Sequence, residues 1–278
     1  GLWIWKKNGQ NRHIRISLAY VIMIILIWIP MARRKSLAFL DVGQGDCFVA
    51  DTKSGAIIFD GGSSSEDQVG RYRILPYMKY LGYQKIQIAV ISHMDIDHYS
   101  GIKELLEMGK IKYLGLPEIP KDETMKKIIG IAKKRGTTIF YLSRGRQITT
   151  KDGSLKVLHP QKNSQMEKNA ASLVMQGKIL GYRVLLTGDV EKEGEEELLS
   201  EELERADILK AAHHGSKNST SNEFLQKVQP KQTVISCGKQ NRYGHPHLET
   251  IHRLQTYRTK IYRTDRSGAI IFFKRRDG

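Results

Sequence analysis

The sequence predicts an α/β or α+β fold organised around one strand and the turn that follows it. The run Lys85-Ile86-Gln87-Ile88-Ala89-Val90-Ile91 is apolar and β-branched, as a buried strand requires. Short strand patterns separated by glycine turns lead into a helix and a further strand, and the second half of the chain repeats that order in outline. At 278 residues, 40% apolar and 27% charged, the chain has ordinary globular composition and length enough for one substantial core.

Taken in order, the chain opens with a segment of different character. From Ile16 to Met31 only Ser17, Tyr20 and Pro30 interrupt an apolar run. Lys6, Lys7, Arg12 and Arg15 precede it, and Arg33-Arg34-Lys35 follow. A bilayer-spanning helix needs about 20 apolar residues. The run is slightly short of that, but Met31-Ala32-Arg33-Arg34 is a poor signal-peptidase site, so a membrane helix over about 14–31 is expected. The flanking charges leave its orientation open. The chain thus divides into a membrane segment, 1–35, and a folded domain, 36–278. In the latter, Ser36–Asp41, Cys47–Asp51 and Ala56–Phe59 read as strands joined by glycine-bearing turns. A helix near Arg71–Leu81 leads to strand 85–91, and a lysine-rich amphipathic helix covers Glu123–Arg135. Strands at Ser154–Leu158, Ala171–Met175 and Arg183–Leu186 precede an acidic helix, Glu191–Glu204, and a strand at Asp207–Ala212. Thr233–Ser236, Lys260–Tyr262 and Ala269–Phe273 complete the sheets.

The stretch after strand 85–91 is Ser92-His93-Met94-Asp95-Ile96-Asp97-His98-Tyr99-Ser100-Gly101. His93, Asp95, Asp97 and His98 place four metal-binding side chains within six residues. If the segment stays extended, alternation sends the first three one way, and His98 follows as the chain turns into a helix starting near Ser100. One strand end then offers ligands to two neighbouring cations. Asp189, closing a strand in Leu186-Thr187-Gly188-Asp189, either bridges two cations or caps helix Glu191–Glu204; spacing does not choose. His213-His214 end another strand. One of them ligates while the other faces substrate, and His213 is preferred as ligand because it lies nearest the strand. Cys47 and Cys237 stand alone, which excludes thiolate zinc sites and suits small core residues.

These residues resemble the metallo-β-lactamase superfamily, whose His-x-His-x-Asp-His motif stands here as His-x-Asp-x-Asp-His. That variant is similar to the C-terminal domain of the ComEC/Rec2 family of competence DNA-uptake membrane proteins. The likeness extends to Asp41-Val42-Gly43-Gln44-Gly45-Asp46, Phe59-Asp60-Gly61-Gly62, Leu186-Thr187-Gly188-Asp189 and His213-His214-Gly215-Ser216, in the family's order. The resemblance implies a four-layer αββα sandwich. It also implies one metal on His93, Asp95 and a bridging Asp189, and a second on Asp97, His98, His213 and the same bridge. The superfamily's further histidine for the first metal is missing. Asn169 stands in the comparable stretch and is a poor ligand, and His159 is a strand-end residue. A His-plus-carboxylate set without thiolate suits Mn²⁺ or Zn²⁺, with Mg²⁺ a third candidate. Asp60 is expected to order the ligands through hydrogen bonds, with Asp41, Gln44 and Asp46 acting similarly. His245 matches a further family position from which it could donate to a phosphate oxygen or leaving group; as a residue it is also an ordinary loop histidine. Tyr99 could stack on a base.

Two cations about 3.5–4 Å apart can generate a hydroxide nucleophile and stabilise both oxygens of an in-line displacement. That chemistry suits a phosphodiester but also a lactam or thioester. Charge argues for a polyanion: 45 basic residues against 29 acidic ones give +16. Without residues 1–35 the balance is still 38 to 29. Arg242, Arg253, Arg258, Lys260, Arg263, Arg266, Lys274, Arg275 and Arg276 crowd the last fifth, where each phosphate neutralised would release counterion. Arg242 and Lys274-Arg275-Arg276 are the expected substrate contacts, with His214, His245 and Asp60 completing the catalytic set. The expected function is therefore a two-metal nuclease of a DNA-uptake membrane protein that degrades the strand not imported. Its expected partners are DNA, single-stranded in particular, the membrane and other DNA-uptake proteins. By family resemblance the domain lies on the outer side of the cell membrane. A small-substrate phosphodiesterase and a non-catalytic DNA-binding module are the alternatives; the latter would bind DNA without turnover.

Overall fold

The computed structural model describes residues 12–23, 34–166 and 169–275. The chain forms two units, Gly1–Arg34 and Lys35–Gly278. In the first, residues 12–23 are an exposed helix, and 24–31 of the expected membrane span lie outside the described residues. Among the described residues no helix is long and apolar enough to cross a membrane, so the expected span gains no support from the structure.

The second unit contains two seven-stranded sheets. In the first, β1 (Ser36–Phe39), β2 (Phe48–Thr52), β3 (Gly55–Phe59), β4 (Ile86–Val90), β5 (Ile111–Pro117) and β6 (Thr138–Leu142) lie side by side in sequence order. The second sheet runs likewise through β7 (Gln147–Thr150), β8 (Gly153–His159), β9 (Val174–Ile179), β10 (Tyr182–Leu186), β11 (Ile208–Lys210), β12 (Gln232–Ile235) and β13 (Lys260–Arg263). The last strand, β14 (Ile270–Phe273), returns to pair antiparallel with β1 on the edge of the first sheet.

Three cores make four layers. Alternation along β1 divides its side chains: Leu37 and Phe39 enter the core between the sheets with Phe48, Ile57, Val157, Met175 and Val184. Ala38 faces outward, with Val49 and Ile58, onto α1 (Leu75–Tyr80), α2 (Ile96–Glu107) and α3 (Glu123–Lys134), through Met78, Leu105 and Ile128. The second sheet's outer face packs against α4 (Lys192–Leu199), α5 (Asn222–Val228) and α6 (Leu248–Thr256), through Leu198, Phe224 and Leu254. A short α7 (Thr264–Ser267) joins β13 to β14. The αββα sandwich is therefore present. Cys47 and Cys237 are free, buried core residues.

The strand directions set the function. β3, β4 and β5 are parallel to one another, as are β10, β11 and β12. The C-terminal ends of both sets meet, as the Leu173 amide donating to Ser92 O at 3.0 Å shows. That common end carries the motif turns of the sequence, from Asp60 to Asp189 and His213-His214.

Candidate metal centre

Helix α2 begins earlier than alternation predicts. Asp95 is its N-cap residue, with extended backbone, and Asp97 and His98 already lie in its first turn. The carboxylates of the motif are therefore displayed by a helix terminus rather than by an extended strand end. Two loops hold that turn from behind. Asp46 N donates to Asp97 O at 3.0 Å, Gly61 N to His98 O at 2.8 Å, and Ile102 N to Gly61 O at 2.9 Å.

Each imidazole is fixed through Nδ1. His98 Nδ1 donates to Asp60 Oδ2 at 3.0 Å, while Asp60 Oδ1 accepts from the Ser92 amide at 2.7 Å. His214 Nδ1 donates to Ser236 O at 2.9 Å, and His93 Nδ1 pairs with Ser92 Oγ at 3.0 Å. This leaves the Nε2 atoms of His93, His98 and His214 turned inward, buried and without a hydrogen-bond partner. His98 Nε2 lies 3.1 Å and His214 Nε2 3.3 Å from Asp189 Oδ2. Asp97 Oδ2 is 3.2 Å from His214 Nε2, and Asp95 Oδ2 is 3.6 Å from His93 Nε2. Three buried imidazole nitrogens facing three carboxylates, with nothing else to bond, fit divalent cations. Asp97, His98, Asp189 and His214 would hold an ion, with His93 and Asp95 paired beside them.

Asp46, His98, Asp189 and His214 bring a donor each within 4.8 Å of one another. Asp46, however, approaches His98 and His214 from their Nδ1 side, at 3.7 and 3.8 Å. It stands behind the ligands, as expected for an ordering residue, and meets Lys210 Nζ there. Lys210 also donates to Gly188 O at 2.8 Å and to Asp189 Oδ1 at 3.3 Å. This fully interior lysine went unrecognised in the sequence, although a lone charge in Ile208-Leu209-Lys210-Ala211-Ala212 was its visible signal.

The electrostatics follow from the crowding. Burial alone would lower the pKa of His214, but Asp189 and Asp46 raise it to about 10. His98 is likewise raised well above its ordinary value, against burial, by Asp189 and Asp60. Burial would raise Asp97, and the imidazoles of His214 and His98 instead bring it to about 2. Lys210 is raised, against burial, by Asp46 and Asp189.

The histidine pair is placed in the reverse of the expected order. Both residues adopt left-handed backbone, with φ of 46° and 53°, and the resulting twist turns His214 into the cluster. His213 stands at the rim, its Nδ1 donating to Glu191 Oε1 at 2.8 Å and its Nε2 3.8 Å from Asp189 Oδ2. His245 is also at the rim, its ring 5.4 Å from that of His213 and 5.7 Å from Tyr243. Burial, then His214 and His213, lowers its pKa to about 4. Arg242 lies beside it, stacked on Tyr243 at 4.9 Å.

Other candidates are not brought to the centre. His159 uses Nε2 on Ala170 O at 2.7 Å and Nδ1 on Glu197 at 2.9 Å, so neither nitrogen is available to metal. Asn169 lines an 830 Å³ cavity with Glu191 and Asn218. Asp189 makes ion pairs rather than a cap, since the N-cap position of α4 belongs to Glu191. Tyr99 packs against the first outer core. Asp41 accepts from the Gly43 amide at 3.2 Å, and Gln44 Oε1 from the Gly238 amide at 3.0 Å, both stabilising loops. Lys274 and Arg275 lie at the opposite end of the sheets. Arg275 N donates to Leu180 O in the turn before β10, and Lys274 Nζ donates to Asp152 in the turn before β8. Arg276 is outside the described residues.

Two stacked sheets between helices, with histidines and aspartates meeting at their common end, define a metal-binding αββα domain. Residues 40–239 match the family model of the metallo-β-lactamase superfamily, and the chain belongs to that superfamily. It is 35% identical to ComE operon protein 3 of Bacillus subtilis (strain 168), over 99% of this chain and 38% of that protein. It is 30% identical to competence protein ComA of Neisseria gonorrhoeae, over 86% of this chain and 32% of that protein. These relatives bear out the resemblance to the ComEC/Rec2 family, and the chain spans only about a third of their length. Among solved structures, the metallo-β-lactamase fold protein YhfI from Bacillus subtilis superposes with a TM-score of 0.58 at 12% identity. That match covers 85% of this chain and 99% of YhfI, a likeness of fold.

Proposed function

We propose that this domain is a metal-dependent phosphodiester hydrolase that acts on DNA, as the nuclease part of a DNA-uptake protein at the outer side of the cell membrane. The observation that carries the reading is the set of three buried, unpartnered imidazole Nε2 atoms opposite Asp95, Asp97 and Asp189, in a chain similar to competence proteins. When bound, divalent ions supply Lewis acidity to a phosphoryl oxygen and make water a nucleophile at neutral pH. The protein's own part is preorganisation. Asp60 and the Ser236 carbonyl hold the two imidazoles in the tautomer that presents Nε2, and Asp46 with Lys210 fixes them from behind. His245, uncharged at neutral pH, offers an N–H at the rim for a phosphate oxygen or leaving group, and Arg242 beside it offers a guanidinium. The strand left outside during import is the proposed substrate.

The test is hydrolysis of single-stranded DNA by metal-stripped protein reloaded with Mn²⁺, Zn²⁺ or Mg²⁺. The carboxylate beside His93, Asp95, with no further histidine there, favours Mn²⁺ over Zn²⁺. Asp97→Ala and His98→Ala should each reduce turnover by about a thousandfold or more while DNA binding is kept. Near-normal turnover in either variant would remove the centre from the reaction. DNA binding without turnover by wild type under every metal would leave a binding module.

A further inference from the structure

The two strand ends of this fold differ in what they present. The metal end carries Asp60 and Asp189, directly or shortly after β3 and β10, together with the exposed Lys217, Lys239 and Arg242. The opposite end is basic. Lys53 and Lys151 occupy the hairpin turns before β3 and β8, Lys85 and Lys110 immediately precede β4 and β5, Lys231 precedes β12, and Arg258 lies just before β13. All but Lys110 are exposed. Of the acids at this end, Asp51, Asp152 and Asp207 are held by Lys35, Lys274 and Lys231 respectively, and Glu107 lies 3.8 Å from Lys103. The strands separate the two ends by about 13 Å or more at 3.3 Å per residue, so one short substrate on the metals does not touch this face.

The chain enters the folded unit at this same end. Lys35 O accepts from Lys274 N, and Lys35 directly precedes β1. In sequence only Ala32, Arg33 and Arg34 separate Lys35 from the apolar run that ends at Met31. We infer that the basic end of the sandwich is a docking face for an anionic phospholipid surface, which leaves the metal end turned away from the bilayer. This deepens the membrane part of the proposed function and is independent of its nuclease part. Clustered lysines near a membrane-associated segment attract acidic headgroups within a Debye length.

The experiment is amine acylation of the full chain reconstituted in phosphatidylcholine nanodiscs with or without phosphatidylglycerol, read lysine by lysine by mass spectrometry. Lys53, Lys85 and Lys151 should react about tenfold more slowly in the anionic discs, with protection lost at high salt. Lys217 and Lys239, exposed at the metal end, should react equally in both. The variant K53E/K85E/K151E should lose the anionic protection of neighbouring Lys110 while hydrolysing free DNA at the wild-type rate. Unchanged reactivity of Lys53, Lys85 and Lys151 between the two discs would overturn the inference. So would their protection by single-stranded DNA in place of lipid, which would make this a nucleic-acid face. Loss of DNA hydrolysis by wild type would instead refute the nuclease reading and leave the docking face standing.

Discussion

A lysine ammonium inside a protein has no water to share its charge, and Lys210 is only 4% exposed. Its three contacts, to Asp46, Asp189 and Gly188 O, answer the carboxylates that crowd the site. Lys210→Met would leave Asp46 and Asp189 without that cation. The metal-free variant should lose about 3–5 kcal/mol of stability in urea unfolding, as when one member of a buried ion pair is removed. A loss below about 1 kcal/mol would show that the imidazoliums alone compensate. The histidines make a second prediction. Without metal, His214 and His98 are held protonated at neutral pH, so a bound ion must displace protons and affinity should rise with pH through the neutral range. Calorimetry in buffers of different ionisation enthalpy should find up to one proton released per imidazole; no release would contradict it. Stability has the matching signs. The contribution of His214, raised from 6.5 to about 10, is complete below about pH 6.5 and fades as pH rises through 10. That of Asp97, lowered from 3.8 to about 2, is present above about 3.8 and fades as pH falls through 2. In chelator, melting scans should therefore place these pairs' greatest support between about pH 4 and 6.5.

At the scale of elements, the first turn of α2 is positioned by glycine. A Cβ on Gly62 would lie 2.6 Å from the Asp97 carbonyl carbon, the His98 nitrogen and the Ile96 oxygen, all backbone atoms. A Cβ on Gly45, which faces the same turn, would lie 2.7 Å from Asp97 O. These contacts let two loops press against the turn that displays Asp97 and His98. Gly62→Ala should displace that turn, costing about 1–3 kcal/mol of stability and lowering affinity for the divalent ion. Isothermal titration of the variant with Mn²⁺ is the check, and unchanged affinity would show that the turn is held by α2 alone. The Phe59-Asp60-Gly61-Gly62 motif thus does two jobs, ordering His98 through Asp60 and admitting the helix through Gly62. Only the first was legible in the sequence, because hydrogen-bonding capacity belongs to a residue type whereas close approach depends on what lies opposite.

The sheets separate the metal end from a basic far end, and this divides the C-terminal basic residues. Arg242 is at the rim; Lys274 and Arg275 are tied to Asp152 and Asp207 at the other end. Arg242→Ala should raise KM for single-stranded DNA and reduce the slope of log K against log[salt] by about 0.7, the share of one phosphate contact. Turnover of bis-nitrophenyl phosphate should not change. Lys274→Ala with Arg275→Ala should cost stability through the buried carboxylates they hold, and leave KM for DNA unaltered. Salt titrations of the two variants distinguish these outcomes, and equal effects on DNA would return the far end to the substrate path.

The sequence by itself determined the layered α/β architecture, the strand that carries His93 to His98, and the involvement of Asp60, Asp189 and the His213-His214 pair. The class and the motif strand are properties of residue type, periodicity and spacing; the part played by Asp60, Asp189 and the histidine pair is implied by the family resemblance of their motifs. Tertiary structure decided which histidine of the pair turns inward, since two left-handed residues reverse the order that strand proximity suggests. It decided that Asp97 is presented by a helix turn, because two loops distant in sequence close over that turn through Gly45 and Gly62. It also brought Lys210 to Asp46 across 164 positions of sequence, and carried Lys274 and Arg275 away from the centre. Charge can be counted along a chain, but its direction relative to a site exists only once strands have an order and two ends.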